Sequence, residues 1–180
     1  IENTKDIDLK NIKKSKKFCI IYRSKRIAEN IEKLVKFRKT CKAKNIDFYV
    51  SNNVKLTNLL KADGIYISAH NRDLNVAPLK NFNFKIIGSA HNIKEINIKK
   101  LQGCSSIIVS RLFKTSYTYK KGYLGVIKFN LLRLSRKENL VPLGGIKLTN
   151  LNKLNIVQCN SIALSSEIIN RPVIFSKRCF

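Results

Sequence analysis

Two consecutive glycines, Gly144 and Gly145, mark the stretch of this sequence with the clearest chemical potential. They end the apolar run 140–143, and a helix-like pattern follows over 149–157. The backbone N–H groups of a turn without Cβ atoms, next to the N-terminus of a helix, can surround a phosphate. A tight turn with no ligand is the alternative interpretation. We predict a phosphate-binding turn.

Positive charge follows two other apolar runs. Arg23 and Lys25 lie within three residues of the end of the run 18–22, and Arg111 lies two residues after the run 106–109. Fixed positive charge can hold a bound or departing phosphate, although solvated charges at a helix start would give the same pattern for Arg23 and Lys25. A polar loop rich in Thr, Tyr and Lys follows Arg111, and long loops often carry function.

Short apolar runs alternate with helix-like patterns along the chain, and this alternation must position the candidate residues. An unbroken apolar run is typical of a strand buried on both faces, and apolar residues at three- and four-residue steps indicate an amphipathic helix. The predicted strands are 18–22, 46–50, 63–67, 84–87, 106–109, 140–143 and 161–164, and the predicted helices are 26–44, 53–61, 92–102, 123–136 and 149–157.

Together with an incomplete first strand within 1–6, these runs make eight strand–helix alternations. Such alternation predicts right-handed crossovers and a parallel sheet. The predicted fold is therefore α/β, a short (β/α)₈ TIM barrel truncated at its first strand, with residues 1–180 as a single domain. A flavodoxin-like open sheet is the alternative, since ~250 residues are typical of barrels.

In either fold, the ligand lies at the carboxyl ends of the strands. His91 is interpreted as a structural hydrogen-bonding residue near a helix start. For His70 two interpretations stay open, a base or a side chain that is merely exposed. The residues that follow strands form the predicted pocket: Arg23, Lys25, Asn52, Asn53, His70, Asn71, Ser89, His91, Arg111, Thr115, Lys120, Gly144, Gly145, Ser165 and Ser166.

The chain is strongly basic. Its 36 Lys and Arg residues exceed its 11 Asp and Glu residues by 25 charges. Such a charge attracts polyanions, but the lysines are dispersed and Lys, Asn and Ile are all abundant, which indicates a composition bias. We therefore predict phosphorylated small molecules as partners and disfavour nucleic acid. A homodimer is compatible with these observations.

Cysteine usage and hydropathy indicate a cytoplasmic protein. The five cysteines show no CxxC spacing, and two histidines do not complete a zinc site. No apolar run approaches the ~20 residues needed to cross a bilayer, so no membrane partner is expected. The chain contains no methionine, and we expect its natural start to precede Ile1.

Six motifs, in order, resemble the thiamine phosphate synthase/TenI superfamily. They are Tyr22-Arg23-Ser24-Lys25, Asp63-Gly64-Ile65-Tyr66-Ile67, Ile87-Gly88-Ser89-Ala90-His91, Phe113-Lys114-Thr115, Leu143-Gly144-Gly145-Ile146 and Ala163-Leu164-Ser165-Ser166. The resemblance implies a (β/α)₈ barrel enzyme that joins hydroxymethylpyrimidine pyrophosphate to thiazole phosphate. Pyrophosphate leaves first, with Mg²⁺ bound to it, and the thiazole nitrogen captures the pyrimidine cation.

The resemblance also implies roles for individual residues. Arg23, Lys25, Arg111 and Lys120 would be catalytic through their charge on the phosphates. The two loops with Gly144, Gly145, Ser165 and Ser166 would hold the thiazole phosphate through backbone N–H groups. The substrate pocket would contain Asn52, Asn71, Ser89, His91 and Thr115.

Three positions depart from the family pattern. Active synthases carry Mg²⁺-binding Asp residues where this chain has Asn52 and, after the next strand, Asn71. An amide contributes no charge to a hard dication, so these two positions predict a weak metal site. TenI needs a His where this chain has Arg111, which cannot shuttle a proton. The alternative function is therefore a repurposed relative, either a non-catalytic phosphate-ligand binder or a TenI-like protein.

Overall fold

The computed structural model describes residues 1–12, 18–24, 29–76, 84–115 and 122–165, which form two compact units, Ile1–Tyr66 and Ile67–Ser165. Each unit has parallel strands with intervening helices. None of the helices in these ranges is long and apolar enough to span a bilayer.

The first unit contains three parallel strands, β1 (Cys19–Tyr22), β2 (Asp47–Ser51) and β3 (Gly64–Ile67), the last of which runs to the end of the unit. Helix α1 (Ile31–Ala43) connects β1 to β2, and α2 (Val54–Leu59) connects β2 to β3. Each helix begins after an asparagine whose side-chain oxygen accepts a backbone N–H of the first turn, which satisfies an otherwise unpaired donor.

The core of this unit lies between β1, β2 and α1. Tyr22, Leu34 and Phe48 are almost fully buried, and the rings of Tyr22 and Phe48 are stacked at 6.3 Å between centroids. A partly buried ion pair joins α1 to the residue before β3, because Arg38 Nη2 donates to Asp63 Oδ1 at 2.8 Å. Arg38 occupies one of the inward positions that the helical spacing predicts.

The second unit contains the parallel strands β4 (Lys85–Ala90), β5 (Ser106–Ser110) and β6 (Asn139–Leu143). Helix α3 (Ile93–Leu101) connects β4 to β5, and α4 (Gly125–Leu134) precedes β6. The core is apolar and fully buried at Ala90, Ile96, Ile107, Phe129 and Leu140. Ser89 pairs with Ile108, and Ser110 pairs with Leu143, so the carboxyl ends of these three strands lie side by side.

The parallel α/β architecture is confirmed and is consistent with a TIM-like fold, but the predicted full (β/α)₈ barrel is wrong. The described residues contain six strands. At the N-terminus, a 3-10 helix (Thr4–Asp6) replaces the strand predicted within 1–6. Near the C-terminus, 161–164 is no strand, and only Ala163 forms an isolated parallel bridge, with Leu143. The assignment of residues 1–180 to one domain stays a prediction.

The largest further differences from the predicted elements concern two boundaries and the type of one helix. Helix α1 begins at Ile31, after its cap Asn30, rather than at residue 26. Strand β4 continues to Ala90, three residues beyond the predicted end. The segment after Gly145 forms a 3-10 helix (Leu148–Ile156) instead of an α-helix.

Candidate functional site

In the first unit, the predicted site residues Arg23 and Asn52 share Tyr66 as a neighbour. The guanidinium carbon of Arg23 lies 6.0 Å from the centre of the Tyr66 ring. The backbone N–H of Asn52 donates to the Tyr66 carbonyl at 2.8 Å, and Asn52 has a positive φ of 53°. Arg23 and Asn52 are both exposed, so this strand end presents a cation and an amide to solvent.

In the second unit, the loop after β3 carries His70, Asn71 and Asp73. It is held by two side chains at the end of α3, one in the last turn of the helix and one at its C-cap. Lys99 Nζ donates to the Asn71 carbonyl at 2.6 Å and to Gln102 Oε1 at 2.7 Å. Gln102 Nε2 donates to the carbonyls of Asn71 and Asp73 at 3.1 and 2.8 Å. Lys99 and Gln102 have no exposed surface, so these hydrogen bonds satisfy buried polar groups.

The Lys99 side chain reaches this loop because strand β4 has a glycine beside it. A Cβ atom on Gly88 would lie 2.8 Å from Lys99 Cδ and 2.7 Å from Cys104 Sγ. Burial lowers the pKa of the Lys99 amine from its usual value. Sequence reasoning missed Lys99 and Gln102, although a glycine inside a strand often signals the close approach of another group.

Ser89 and His91 lie at the end of β4. Ser89 is buried, whereas His91 is exposed, and its ring centre is 6.4 Å from that of His70. His91 Nδ1 is 2.7 Å from Ser110 Oγ, a partner that the sequence did not reveal. The His91 N–H donates to Glu95 Oε2 at 2.7 Å, which agrees with the predicted hydrogen-bonding position near a helix start.

A cavity of about 460 Å³ lies between α3 and α4 on the outer side of this strand end. Its wall is mostly apolar and includes Ile93, Val109 and Leu131, with His91 and Lys128 among its polar residues. Gly144 and Gly145 do not line it. The cavity is therefore separate from the predicted phosphate-binding turn.

Arg111 is tied to the chain that follows it. Its guanidinium donates to Thr115 Oγ1 and to the carbonyl of Gly122, both at 2.8 Å. The structure thus brings together Arg111 and Thr115, two of the predicted site residues.

The two glycines form a turn that packs against the Arg111 loop. Gly144 and Gly145 have φ values of 98° and 69°, which L-residues with side chains rarely adopt. A Cβ atom on Gly145 would lie 2.5 Å from the Phe113 carbonyl oxygen. Within residues 84–115 and 122–165, neither glycine N–H donates a hydrogen bond. The turn therefore combines a shape that requires glycine with N–H donors that are not used by these ranges.

Neighbouring contacts fix this turn in place. The Phe113 N–H donates to the Gly144 carbonyl at 3.0 Å, and Asn150 Nδ2 donates to the Gly145 carbonyl at 2.8 Å. The bridge between Leu143 and Ala163 brings the chain that leads to the exposed Ser165 next to the end of β6. Arg111, Gly144 and Gly145 are thus assembled at one strand end, with the segment before Ser165 beside it. Lys25, Lys120 and Ser166 lie outside the described residues.

The magnesium ion that the resemblance implies does not fit the side chains at Asn52 and Asn71. Both offer amides, whereas Mg²⁺ favours carboxylates. The backbone carbonyl of Asn71 already accepts a hydrogen bond from the Lys99 amine. Across the described ranges, no three His, Cys, Asp or Glu side chains come together as a metal-binding group.

Comparison with known proteins gives one matching family model, described as thiamine monophosphate synthase, over residues 8–168. A thiamine-phosphate synthase of Prochlorococcus marinus is 27% identical over 163 residues, which cover 88% of this chain and 47% of that protein. A thiamine-phosphate synthase of Dictyoglomus turgidum is 30% identical over 167 residues, which cover 88% of this chain and 73% of that protein. The chain spans less than half the length of several relatives from Prochlorococcus.

A solved structure with a similar backbone is the thiamine phosphate pyrophosphorylase of Pyrococcus furiosus. Its TM-score to this chain is 0.68, at 17% identity, over 88% of this chain and 81% of that chain. At this level of identity the likeness concerns the fold alone.

Proposed function

This chain belongs to the thiamine monophosphate synthase family, and we propose that it is a thiamine phosphate synthase-type transferase. In the proposed reaction, the bond between the pyrimidine methylene carbon and the pyrophosphate oxygen breaks, and pyrophosphate leaves with the electron pair. The thiazole nitrogen then donates its lone pair to the cationic methylene carbon. The products are thiamine phosphate and pyrophosphate.

The observation that carries the proposal is the glycine turn after β6. Its positive φ angles disfavour side chains at both positions, and the close packing of Gly145 against Phe113 leaves no space for a Cβ atom there. Backbone N–H groups in such a turn can bind phosphate oxygens, and no flexible side chain has to lose its bound water for this contact to form. We assign the thiazole phosphate to Gly144, Gly145, Ser165 and Ser166.

The departing pyrophosphate needs fixed positive charge, because negative charge accumulates on its oxygens as the bond breaks. We assign this role to Arg23, Lys25, Arg111 and Lys120. The hydrogen bonds from Arg111 to Thr115 and Gly122 support the assignment, since they hold the guanidinium in one orientation. Asn52, Asn71, Ser89, His91 and Thr115 are proposed to line the rest of the substrate pocket.

The proposal predicts product from a direct assay. The purified chain is incubated with hydroxymethylpyrimidine pyrophosphate and thiazole phosphate, with and without Mg²⁺, and thiamine phosphate is measured by mass spectrometry. Arg111→Met should lower kcat/KM about a hundredfold, and Arg111→Lys, which keeps the charge but loses the forked geometry, about tenfold. Lys94→Met on an exposed part of α3 is the control and should match the parent.

Absence of thiamine phosphate under both conditions, with a folded protein, would exclude the synthase. A second candidate function would then apply, a non-catalytic binder of a phosphorylated ligand or a TenI-like protein. Asn52 and Asn71 favour it, because the family's metal-binding carboxylates are absent at these positions. This candidate predicts saturable binding of thiazole phosphate without formation of thiamine phosphate, and calorimetric titration measures that binding.

A further inference from the structure

The loop after β3 is anchored from inside the protein by a lysine. Lys99 Nζ is 2.6 Å from the Asn71 carbonyl oxygen, and Gln102 bridges Lys99 to the carbonyls of Asn71 and Asp73. The loop also has two local turns, in which Asn71 Oδ1 accepts from the Asp73 N–H at 3.0 Å and Asp73 Oδ1 accepts from the Asn75 N–H at 2.9 Å. These turns are local and exposed, whereas the hydrogen bonds from Lys99 and Gln102 are tertiary contacts that join the loop to the buried end of α3.

The chemistry of this anchor excludes a metal ion at the same place. A metal ion would need the Asn71 oxygens and nearby carboxylates as ligands. The backbone oxygen of Asn71 faces an amine, and its side-chain oxygen is engaged in the first local turn. A dication close to the buried Lys99 ammonium would also be repelled, because two positive charges interact strongly where water does not screen them.

Space for the lysine is built into the neighbouring strand. Gly88 is buried, and a Cβ atom there would overlap Lys99 Cδ at 2.8 Å. Gln102 Oε1 accepts a hydrogen bond from Lys99 Nζ, and Gln102 Nε2 donates two hydrogen bonds to the loop. Gly88 therefore leaves the space for the lysine, and Lys99 and Gln102 supply the hydrogen-bond donors to the loop.

We propose that the Lys99 amine, with Gln102, holds the loop of His70, Asn71 and Asp73 in the position where a metal ion would otherwise hold it. Lys99 and Gln102 are thus positioning residues, and the loop's order does not depend on Mg²⁺. The relevance of the loop to catalysis rests on the proposed function. The tests below need neither substrate nor turnover, so they can fail or succeed independently of the synthase assay.

The first test uses Mn²⁺ alone as a paramagnetic probe on the ¹⁵N-labelled full chain. We expect the amide signals of His70, Asn71 and Asp73 to broaden no more than the average exposed amide. Selective broadening of these three signals, at Mn²⁺ concentrations that leave other exposed amides sharp, would overturn the proposal, because it would place a metal ion on the loop.

The second test removes the anchor. In Lys99→Met, amide order parameters of Asn71 and Asp73 should fall from about 0.85 to below about 0.6, while those of β4 and β5 stay unchanged. In the control Lys94→Met, on an exposed part of the same helix, all of these values should match the parent. Unchanged order parameters at Asn71 and Asp73 in Lys99→Met would contradict the proposal.

A further variant decides the question if Lys99→Met does not fold. Gln102→Glu keeps an acceptor for Lys99 but loses the two N–H donors to the loop. The Asp73 amide should then lose order, whereas the Asn71 amide, still bound by Lys99, should keep most of it. Equal order at both amides in Gln102→Glu and the parent would overturn the role given to this pair.

Discussion

The loop after β3 and the glycine turn after β6 both lie in the second unit and each follows a parallel strand, but they are stabilised by opposite means. The loop of Asn71 and Asp73 depends on long side chains, since Lys99 and Gln102 reach it from α3. The turn of Gly144 and Gly145 depends on the absence of side chains, since its backbone packs directly on that of Phe113 and Lys114. Similar positions in the fold therefore have different sensitivities to mutation.

This difference has a chemical consequence. A loop that is fixed by buried side chains presents its own exposed side chains, such as His70, to a ligand. A turn that is fixed by backbone packing presents N–H groups instead. Backbone donors suit a phosphate because several of them can converge on it at no cost in side-chain entropy. We therefore propose that the loop after β3 contacts a ligand through its side chains, and that the glycine turn after β6 binds a phosphate through its backbone N–H groups.

The largest expected effect comes from Gly145→Ala. The positive φ and the 2.5 Å approach to the Phe113 oxygen should together lower the free energy of unfolding by about 3–5 kcal/mol. Gly125→Ala is the matched control, because Gly125 has a similar φ of 68° but nothing within 4 Å of an added Cβ. It should cost about 1 kcal/mol.

Chemical denaturation of both variants measures these costs. Equal losses of stability in Gly145→Ala and Gly125→Ala would show that the close packing at Gly145 has no energetic weight. The contrast between a turn fixed by backbone and a loop fixed by side chains would then break down.

A smaller effect is expected from Gln102→Leu. This change removes the donors to the Asn71 and Asp73 carbonyls and one acceptor of Lys99, and it should cost about 1–3 kcal/mol of unfolding free energy. Lys94→Ala on the exposed side of α3 serves as the control, with a change of about 0.5 kcal/mol or less. A neutral Gln102→Leu would mean that the loop does not need its buried anchor.

The smallest effect is expected from Ser110→Ala, which removes the hydroxyl partner of His91 Nδ1 and leaves its longer, 3.4 Å contact with the Ser110 carbonyl. The pair is only partly buried, so the loss should be about 1 kcal/mol or less. The ¹⁵N shifts of the imidazole should change, because Ser110 no longer biases the tautomer. Unchanged ring shifts in the variant would show that this hydrogen bond is not formed in solution.

The sequence predicted most of the scaffold because short apolar runs and helical spacing report burial directly. It also predicted the glycine turn, since no other residue type suits two successive positive φ values. It could not predict the number of strands, because the apolar run 161–164 looks like β4 or β5, although its backbone forms a bridge at Ala163 alone. Strand pairing depends on neighbours in space rather than on the run itself.

The buried anchor was missed for a related reason. Lys94, Lys99 and Lys100 lie on one predicted helix, and composition does not distinguish the buried one from the others. The difference depends on Gly88, which is distant in sequence and provides the space for Lys99. Pairwise contacts of this kind become visible only when the strand and the helix are assembled.

The most direct measurement of the central claim follows the backbone amides of the glycine turn during titration with thiazole phosphate. Selective [¹⁵N]glycine labelling suits this chain, which has seven glycines. We predict saturable shifts of the Gly144 and Gly145 signals with thiazole phosphate and none with the dephosphorylated thiazole alcohol. Signals of Gly144 and Gly145 that stay fixed at saturating thiazole phosphate would contradict a phosphate-binding turn.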